Sequence, residues 1–281
     1  MYPIEKMSQV LQVSRSGYYR WTRRPVSQRT VENQWLRNKI FEIWHGSQRV
    51  YGAPRIHQKL LRQGVRASRP RVARLMRHMH IASRIRRKWV TTTDSAHNRP
   101  VVANLLDRNF TPSEIGKVWV SDITYLPCEH GWRYLTTVMD LGDRQILGWS
   151  LSKDMSARNT SVAAFKQACK RRAITTDMIF HSDRGIQYAC EEFTRLLDKN
   201  PLIKPSMSRK GNCWDNAPAE SFFKTLKAEM YIPGKFRDYD HARAMVFEFI
   251  EIWYNRKRLH SGLGYRTPVE MEELLTKNKA A

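Results

Sequence analysis

Three carboxylates carry the chemical potential of this chain. Asp122 lies in Trp119-Val120-Ser121-Asp122-Ile123-Thr124, Asp183 in His181-Ser182-Asp183-Arg184-Gly185-Ile186-Gln187-Tyr188, and Glu220 in Trp214-Asp215-Asn216-Ala217-Pro218-Ala219-Glu220-Ser221-Phe222-Phe223. The two aspartates stand at the ends of β-branched or apolar runs, and the glutamate opens a helical pattern. Oxygen-only ligands converging from two strands and a helix suit hard divalent cations such as magnesium. Two such ions can clamp the attacking and leaving oxygens of a phosphodiester during in-line displacement.

Each residue alone has a plainer reading. An aspartate can cap a turn, and a glutamate in a first helical turn compensates the helix dipole. Asp122, however, alternates with Val118 and Val120, where a buried carboxylate is costly unless paired or metal-bound. Asp183 is followed by Gly185, which permits close backbone approach. On the third segment Asn216, Glu220, Lys224 and Lys227 are spaced by four, four and three residues and so share one helix face. Phe222, Phe223, Leu226 and Met230 occupy another face, suited to packing. The lysines could pair with Glu220 or hold a DNA phosphate.

Around these residues the pattern reads as β at 118–126, 134–140 and 145–151, with a turn at 127–131. A helix at 156–173, a strand at 178–181, a helix near 190–199, a strand near 202–207 and the Glu220 helix follow. Three strands and then alternating helices and strands match the order of a ribonuclease H-like α/β core. Residues 241–259 repeat apolar positions at helical spacing and read as a helix closing over that core.

Ahead of it, residues 7–22 read as a compact helix-turn-helix with Ser14 as a cap, and 31–45, 54–63 and 69–79 read as helices. Arg55, Arg69, Arg71 and Arg74 fall largely between the apolar stripes of the last two, a pattern that fits phosphate contact. A solvated basic face with no groove contact is the plainer alternative. The implied organisation is a basic all-helical region at 1–90, a basic linker at 91–113, the catalytic core at 114–235 and a helical extension at 236–281.

Charge agrees with this division. The net charge is +23, and residues 1–110 hold 23 Lys and Arg against 5 Asp and Glu, a net +18, leaving +5 for the remainder. So strong a basic asymmetry favours a polyanionic partner. Cys128, Cys169, Cys190 and Cys213 have neither zinc-site spacing nor a disulfide framework. No apolar run reaches the roughly 18 residues of a membrane span. A reduced, intracellular, soluble protein without a membrane partner is expected.

Several blocks together are more specific than any one. The Asp122 block, His181–Tyr188, Ser206–Lys227 and Tyr254-Asn-Arg-Lys-Arg-Leu-His-Ser-Gly-Leu-Gly-Tyr-Arg-Thr-Pro268 resemble the DDE transposases encoded by the second reading frame of two-frame bacterial insertion sequences, relatives of retroviral integrases. The resemblance spans essentially the whole chain. It implies metal-dependent DNA cleavage and 3′-hydroxyl strand transfer, with Asp122, Asp183 and Glu220 as metal-binding triad and Lys227 as the basic residue two helical turns on. It further implies two magnesium ions with manganese as substitute, insertion-sequence ends and target DNA as partners, homo-oligomers on DNA, and an upstream-frame protein or frameshift fusion. The expected location is the bacterial cytoplasm, at the nucleoid.

Two departures stand out. The 36 residues between Asp183 and Glu220 are one more than the family's usual spacing, the extra one falling in Lys199-Asn200-Pro201-Leu202. Leu141-Gly142-Asp143-Arg144 replaces the family's aromatic-Ser-Arg turn. A nuclease or junction resolvase of the same fold, or a DNA-binding regulator with an inactive core, are the rival readings; metal-dependent nicking separates the last from an enzyme.

Overall fold

Serines cap three of the helices in the first part of the chain. In the computed structural model, which describes residues 3–84, 102–112, 114–209, 212–230 and 236–280, α1 (Ile4–Val10) leads to α2 (Arg15–Thr22), capped by Ser14 through the Gly17 amide. Ser27 and Ser68 accept in the same way from Thr30 and Arg71 at the starts of α3 (Gln28–Gly46) and α5 (Arg69–His78), each satisfying an orphan amide. Between them α4 (Ala53–Arg62) begins with Pro54, whose missing N–H costs nothing in a first turn. Gly64, with φ of +74°, makes the left-handed turn by which Val65 donates back to the Leu60 carbonyl. Leu36, Ile40, Ile56, Leu60, Val72 and Leu75 form the buried centre of this unit, Met1–Arg84. In α1, α2 and the turn between them the apolar Val10, Leu11, Val13 and Trp21 are exposed.

The second unit, Ile85–Ala281, is built on a five-stranded sheet in the order β3-β2-β1-β4-β5. β1 (Val118–Cys128), β2 (Gly131–Asp140) and β3 (Ile146–Ser152) form an antiparallel meander, and β4 (Met178–Ser182) and β5 (Ile203–Met207) run parallel to β1. Helices α6 (Ala163–Arg171), α7 (Ile186–Ala189) and α8 (Glu191–Asp198) accompany one face, with Trp119, Val138, Phe165, Phe180 and Phe193 in its core. On the other face α9 (Ala217–Glu229) and α10 (Tyr239–Phe247) bury Phe222, Leu226, Ala242 and Val246 on Val118 and Val120. Helix α11 (Pro268–Ala280) ends the described chain. At Gly148 a Cβ would fall 2.1 Å from the Ala164 carbonyl oxygen, so α6 can approach β3 only over a glycine. This is the ribonuclease H-like order expected from the sequence.

The differences have physical reasons. Residues 118–121 are buried on both faces because β1 is central, so strict alternation is lost there. The β1–β2 turn is tighter than 127–131, since Pro127 pairs with Trp132 and Cys128 with Gly131, whose φ is +95°. The helix expected at 156–173 opens as a π-helical turn, Arg158–Val162, and the one expected at 241–259 passes from α10 into another, Glu248–Tyr254. Helices α7 and α11 were not expected. In the 91–113 linker, residues 91–101 and 113 lie outside the described residues. Its remainder is packed into the second unit, of which it is part: Leu106 is buried and the Leu105 amide donates to Ser206 Oγ at 2.9 Å.

Candidate active site

The two aspartates are placed by strand register. Ser121 and Ser182 are the last paired residues of β1 and β4, so Asp122 and Asp183 stand one step beyond, on neighbouring parallel strands whose backbones run about 4.8 Å apart. Asp122 Oδ1 accepts from the Ile123 amide at 2.8 Å, and Asp183 Oδ1 accepts from the Gly185 amide at 2.9 Å as the chain turns toward α7. Glu220 lies in the first turn of α9. That helix start is stapled to β1, because Asn216 Nδ2 donates to the Ser121 carbonyl at 3.0 Å.

Electrostatics report the convergence. Burial, and then the charge of Asp183, push the Asp122 carboxyl well above its ordinary pKa; the Ile123 amide opposes this, Glu220 adds to it and Lys227 offsets part of it. The other two carboxylates and one lysine therefore all act on Asp122. Below them Ser121 Oγ donates to the Thr137 carbonyl and is 2.7 Å from the Tyr188 hydroxyl, which is left to donate. Burial, then Asp183 and Asp122, push the Tyr188 phenol up, so it stays protonated. His181 bridges Ser206 Oγ (2.9 Å) and Ser208 Oγ (3.1 Å), and burial lowers its pKa to about 4, which leaves a neutral imidazole joining β4 to β5. Sequence reasoning gave His181, Ser121 and Tyr188 no role, although the first two neighbour the aspartates along the chain.

The other expected site residues separate. Lys224 Nζ is 3.3 Å from Glu220 Oε2, while Lys227 is exposed within the field of Asp122. Asn216 is buried rather than presented to solvent, and its Oδ1 has no partner among the described residues. In the first unit Arg69 and Arg74 are exposed. Arg55 lies over the Tyr51 ring at 5.5 Å. Arg71 is bound to Asn33 Oδ1 through Nε (3.0 Å) and Nη2 (2.8 Å) and to Glu32 at 3.3 Å, which makes it a brace between α5 and α3.

The chain's two departures from the pattern it resembles lie away from the three carboxylates. Lys199–Leu202 precedes β5, whose first residue pairs with Met178, at the opposite end of β4 from Asp183. In the β2–β3 turn, Asp140 and Asp143 accept from the Gly142 and Gln145 amides and both pair with Arg172.

By donor chemistry the site fits a hard divalent cation: carboxylate oxygens are its donors, and burial first, then the charge of Asp183 and Glu220, raises Asp122. Among the described residues, no three His, Cys, Asp or Glu side chains are drawn close enough to cage an ion. The carboxylates are held instead by Ile123, Gly185 and Lys224. Cys128, Cys169 and Cys190 are free thiols, and no helix of the described residues is long and apolar enough to cross a membrane.

Family models match most of the chain. Two described as integrase core domains match residues 112–213 and 202–268, and one described as an HTH-like domain matches 31–89. The "Insertion element IS600 uncharacterized 31 kDa protein" of Shigella sonnei is 38% identical over 95% of this chain and 97% of its own. "Transposase InsF for insertion sequence IS3A" of Escherichia coli K12 is 37% identical over 96% and 94%. Among solved structures, a simian T-cell lymphotropic virus intasome covers 83% of this chain and 74% of its own at 12% identity and a TM-score of 0.48. The HTLV-2 integrase catalytic core domain in complex with magnesium covers 57% and 97% at 14% identity and 0.40.

Proposed function

Since the chain belongs to the IS3-type insertion-sequence transposases, DDE enzymes that cleave DNA strands and transfer the 3′-hydroxyl ends, we propose that Asp122, Asp183 and Glu220 are its catalytic, metal-binding triad. The observation that carries this is the placing of both aspartates one step past the last β1–β4 pair, with Glu220 acting on Asp122. The cofactor is a divalent metal, assigned as two magnesium ions held by these carboxylates, with manganese as substitute. When bound, such ions lower the pKa of the attacking water or hydroxyl and offset charge building on phosphorus. The chain's own part is to hold and orient. Ser121 and Tyr188 brace β1 beneath Asp122, Asn216 fixes α9 against that strand, and Lys227, with Lys224, holds a DNA phosphate. Tyr188 is buried and protonated, so no covalent protein–DNA intermediate forms through it.

DNA is the partner, specifically the ends of the insertion sequence and the target. Residues 1–90 form the DNA-gripping region, with Arg69 and Arg74 exposed for phosphate contact and Arg55 a further candidate. A homo-oligomer assembles on the DNA in the bacterial cytoplasm, at the nucleoid, together with an upstream-frame protein or as a frameshift fusion with it. The test is incubation of the chain with a labelled insertion-sequence end and magnesium. Nicked and joined products, both lost with chelator and neither attached to protein, are expected. Cleavage that survives chelation, or a protein–DNA adduct, overturns the proposal.

A further inference from the structure

Trp214 is 68% exposed, an unusual place for the largest apolar side chain. It sits on a 3₁₀ turn, Cys213–Asn216, that runs directly into the helix carrying Glu220. Trp132, also exposed, meets Tyr125 edge-on at 6.2 Å, whereas Trp214 stands against no other ring among the described residues.

The turn beneath it is rigidly built. Asp215, 0% exposed, accepts from Arg209 through its amide and Nε, both at 2.9 Å, and from Arg108 Nε at 3.1 Å. Asn212 Oδ1 accepts from the Trp214 amide at 3.2 Å and from Arg108 Nη2 at 3.1 Å. On the other side Asn216 is tied to the Ser121 carbonyl, next to Asp122. The indole is thus mounted on a frame anchored at both ends and exposed to solvent six residues before Glu220, on the turn that leads into its helix. Arg108 and Arg209, each about half exposed, are held at this turn by their shared partner Asp215. An exposed aromatic flanked by guanidinium groups is the pairing that holds unpaired bases, the ring by stacking and the cations through phosphate.

We propose that Trp214 is a stacking platform for one unpaired nucleobase of the DNA strand entering the active site, so that the enzyme holds its substrate end frayed. The ligand class is an extrahelical base of any identity, because every base offers a π-face. This rests on the transposase reading above, and the test keeps the two apart. The full chain carrying E220Q, so that DNA is not consumed, is titrated by anisotropy with insertion-sequence ends that are fully paired, mismatched at the terminal pairs, or mismatched with an abasic nucleotide. With Trp214 intact, mismatched ends should bind tighter than paired ones, and the abasic end should lose roughly five- to a hundredfold. W214A should lose the same factor on the mismatched end and nothing further on the abasic one, W214F should keep most of it, and all should melt like the parent. Equal preference for mismatched ends in W214A, or independent losses from W214A and the abasic nucleotide, overturns the proposal. Magnesium-dependent nicking by the chain with Glu220 restored, run in parallel, reports the catalytic reading separately.

Discussion

Arg258 closes a buried ion pair on Glu229, the last residue of the helix that carries Glu220. Its Nη2 is 2.8 Å from Oε1 and its Nε 2.9 Å from Oε2, with the two side chains 8% and 2% exposed. Trp253 Nε1 donates to the same carboxylate at 3.0 Å, so two residues of the segment after α10 give Glu229 three donors. The glutamate end of the active site is therefore held at its far end by chain more than twenty residues downstream, while Asn216 holds the near end.

Removing one member of that pair leaves an uncompensated buried charge. Arg258→Ala should lower stability by about 3–5 kcal/mol, whereas replacing both residues by methionine should cost much less. Thermal unfolding of the two variants makes the comparison. Equal destabilisation would show that packing, not charge, dominates there.

Lys227 lies two turns from Glu220 on an exposed flank of α9, close enough to lower the pKa of Asp122. Lys227→Ala should slow joining of a pre-cut end roughly ten- to a hundredfold, the loss of about 1.5–3 kcal/mol of charged hydrogen bonding. Lys227→Arg should recover part of it, since charge is kept but donor geometry changes. Normal joining by the alanine variant would reduce Lys227 to a solvated helix residue.

The arginines of α5 should divide by their partners. Arg74→Ala should leave melting unchanged and lower the log–log salt slope of DNA binding by about 0.9 if one phosphate contact is lost. Arg71→Ala, which frees Asn33 and Glu32, should instead destabilise the first unit by about 1–3 kcal/mol. Calorimetry together with salt titrations of binding distinguishes the two; the opposite pattern would exchange their roles.

Asp215 supplies a pH dependence. Its hydrogen bond from Arg209 chiefly holds its carboxyl far below the usual range, against the opposing effect of burial. A depressed carboxylate stabilises the fold fully above its unfolded pKa of about 4 and loses that contribution as pH falls toward the folded value. Asp215→Asn should therefore melt lower than the parent at pH 7, and the gap should narrow as pH falls below about 4. A gap constant across that range would contradict the assignment.

The strands and helices that position the carboxylates were legible because apolar runs end at charged residues. Asp122 and Asp183 punctuate β1 and β4, and Phe222, Phe223 and Leu226 mark the packed face of α9. Spacing alone misplaced Asn216: helical periodicity aligned it with Glu220, but it is the residue before the helix, turned inward to Ser121. Arg71 read as one of several basic residues, because its partners Glu32 and Asn33 lie 39 and 38 positions away. The pairing of Arg258 with Glu229, 29 residues apart, was hidden for the same reason. Helix α11 escaped because no apolar stripe marks it; one of its anchors is polar, Glu272 with Arg172.

The most direct test of the triad is supercoiled-plasmid nicking in magnesium by Asp122→Asn, Asp183→Asn and Glu220→Gln, each paired with a gel-shift for DNA binding. These isosteric changes remove one negative charge apiece while keeping side-chain shape. All three variants should bind DNA like the parent and fail to nick or join it. Wild-type nicking by any one of them would contradict its place in the triad, and with it the convergence of β1, β4 and α9 on a single metal-dependent centre.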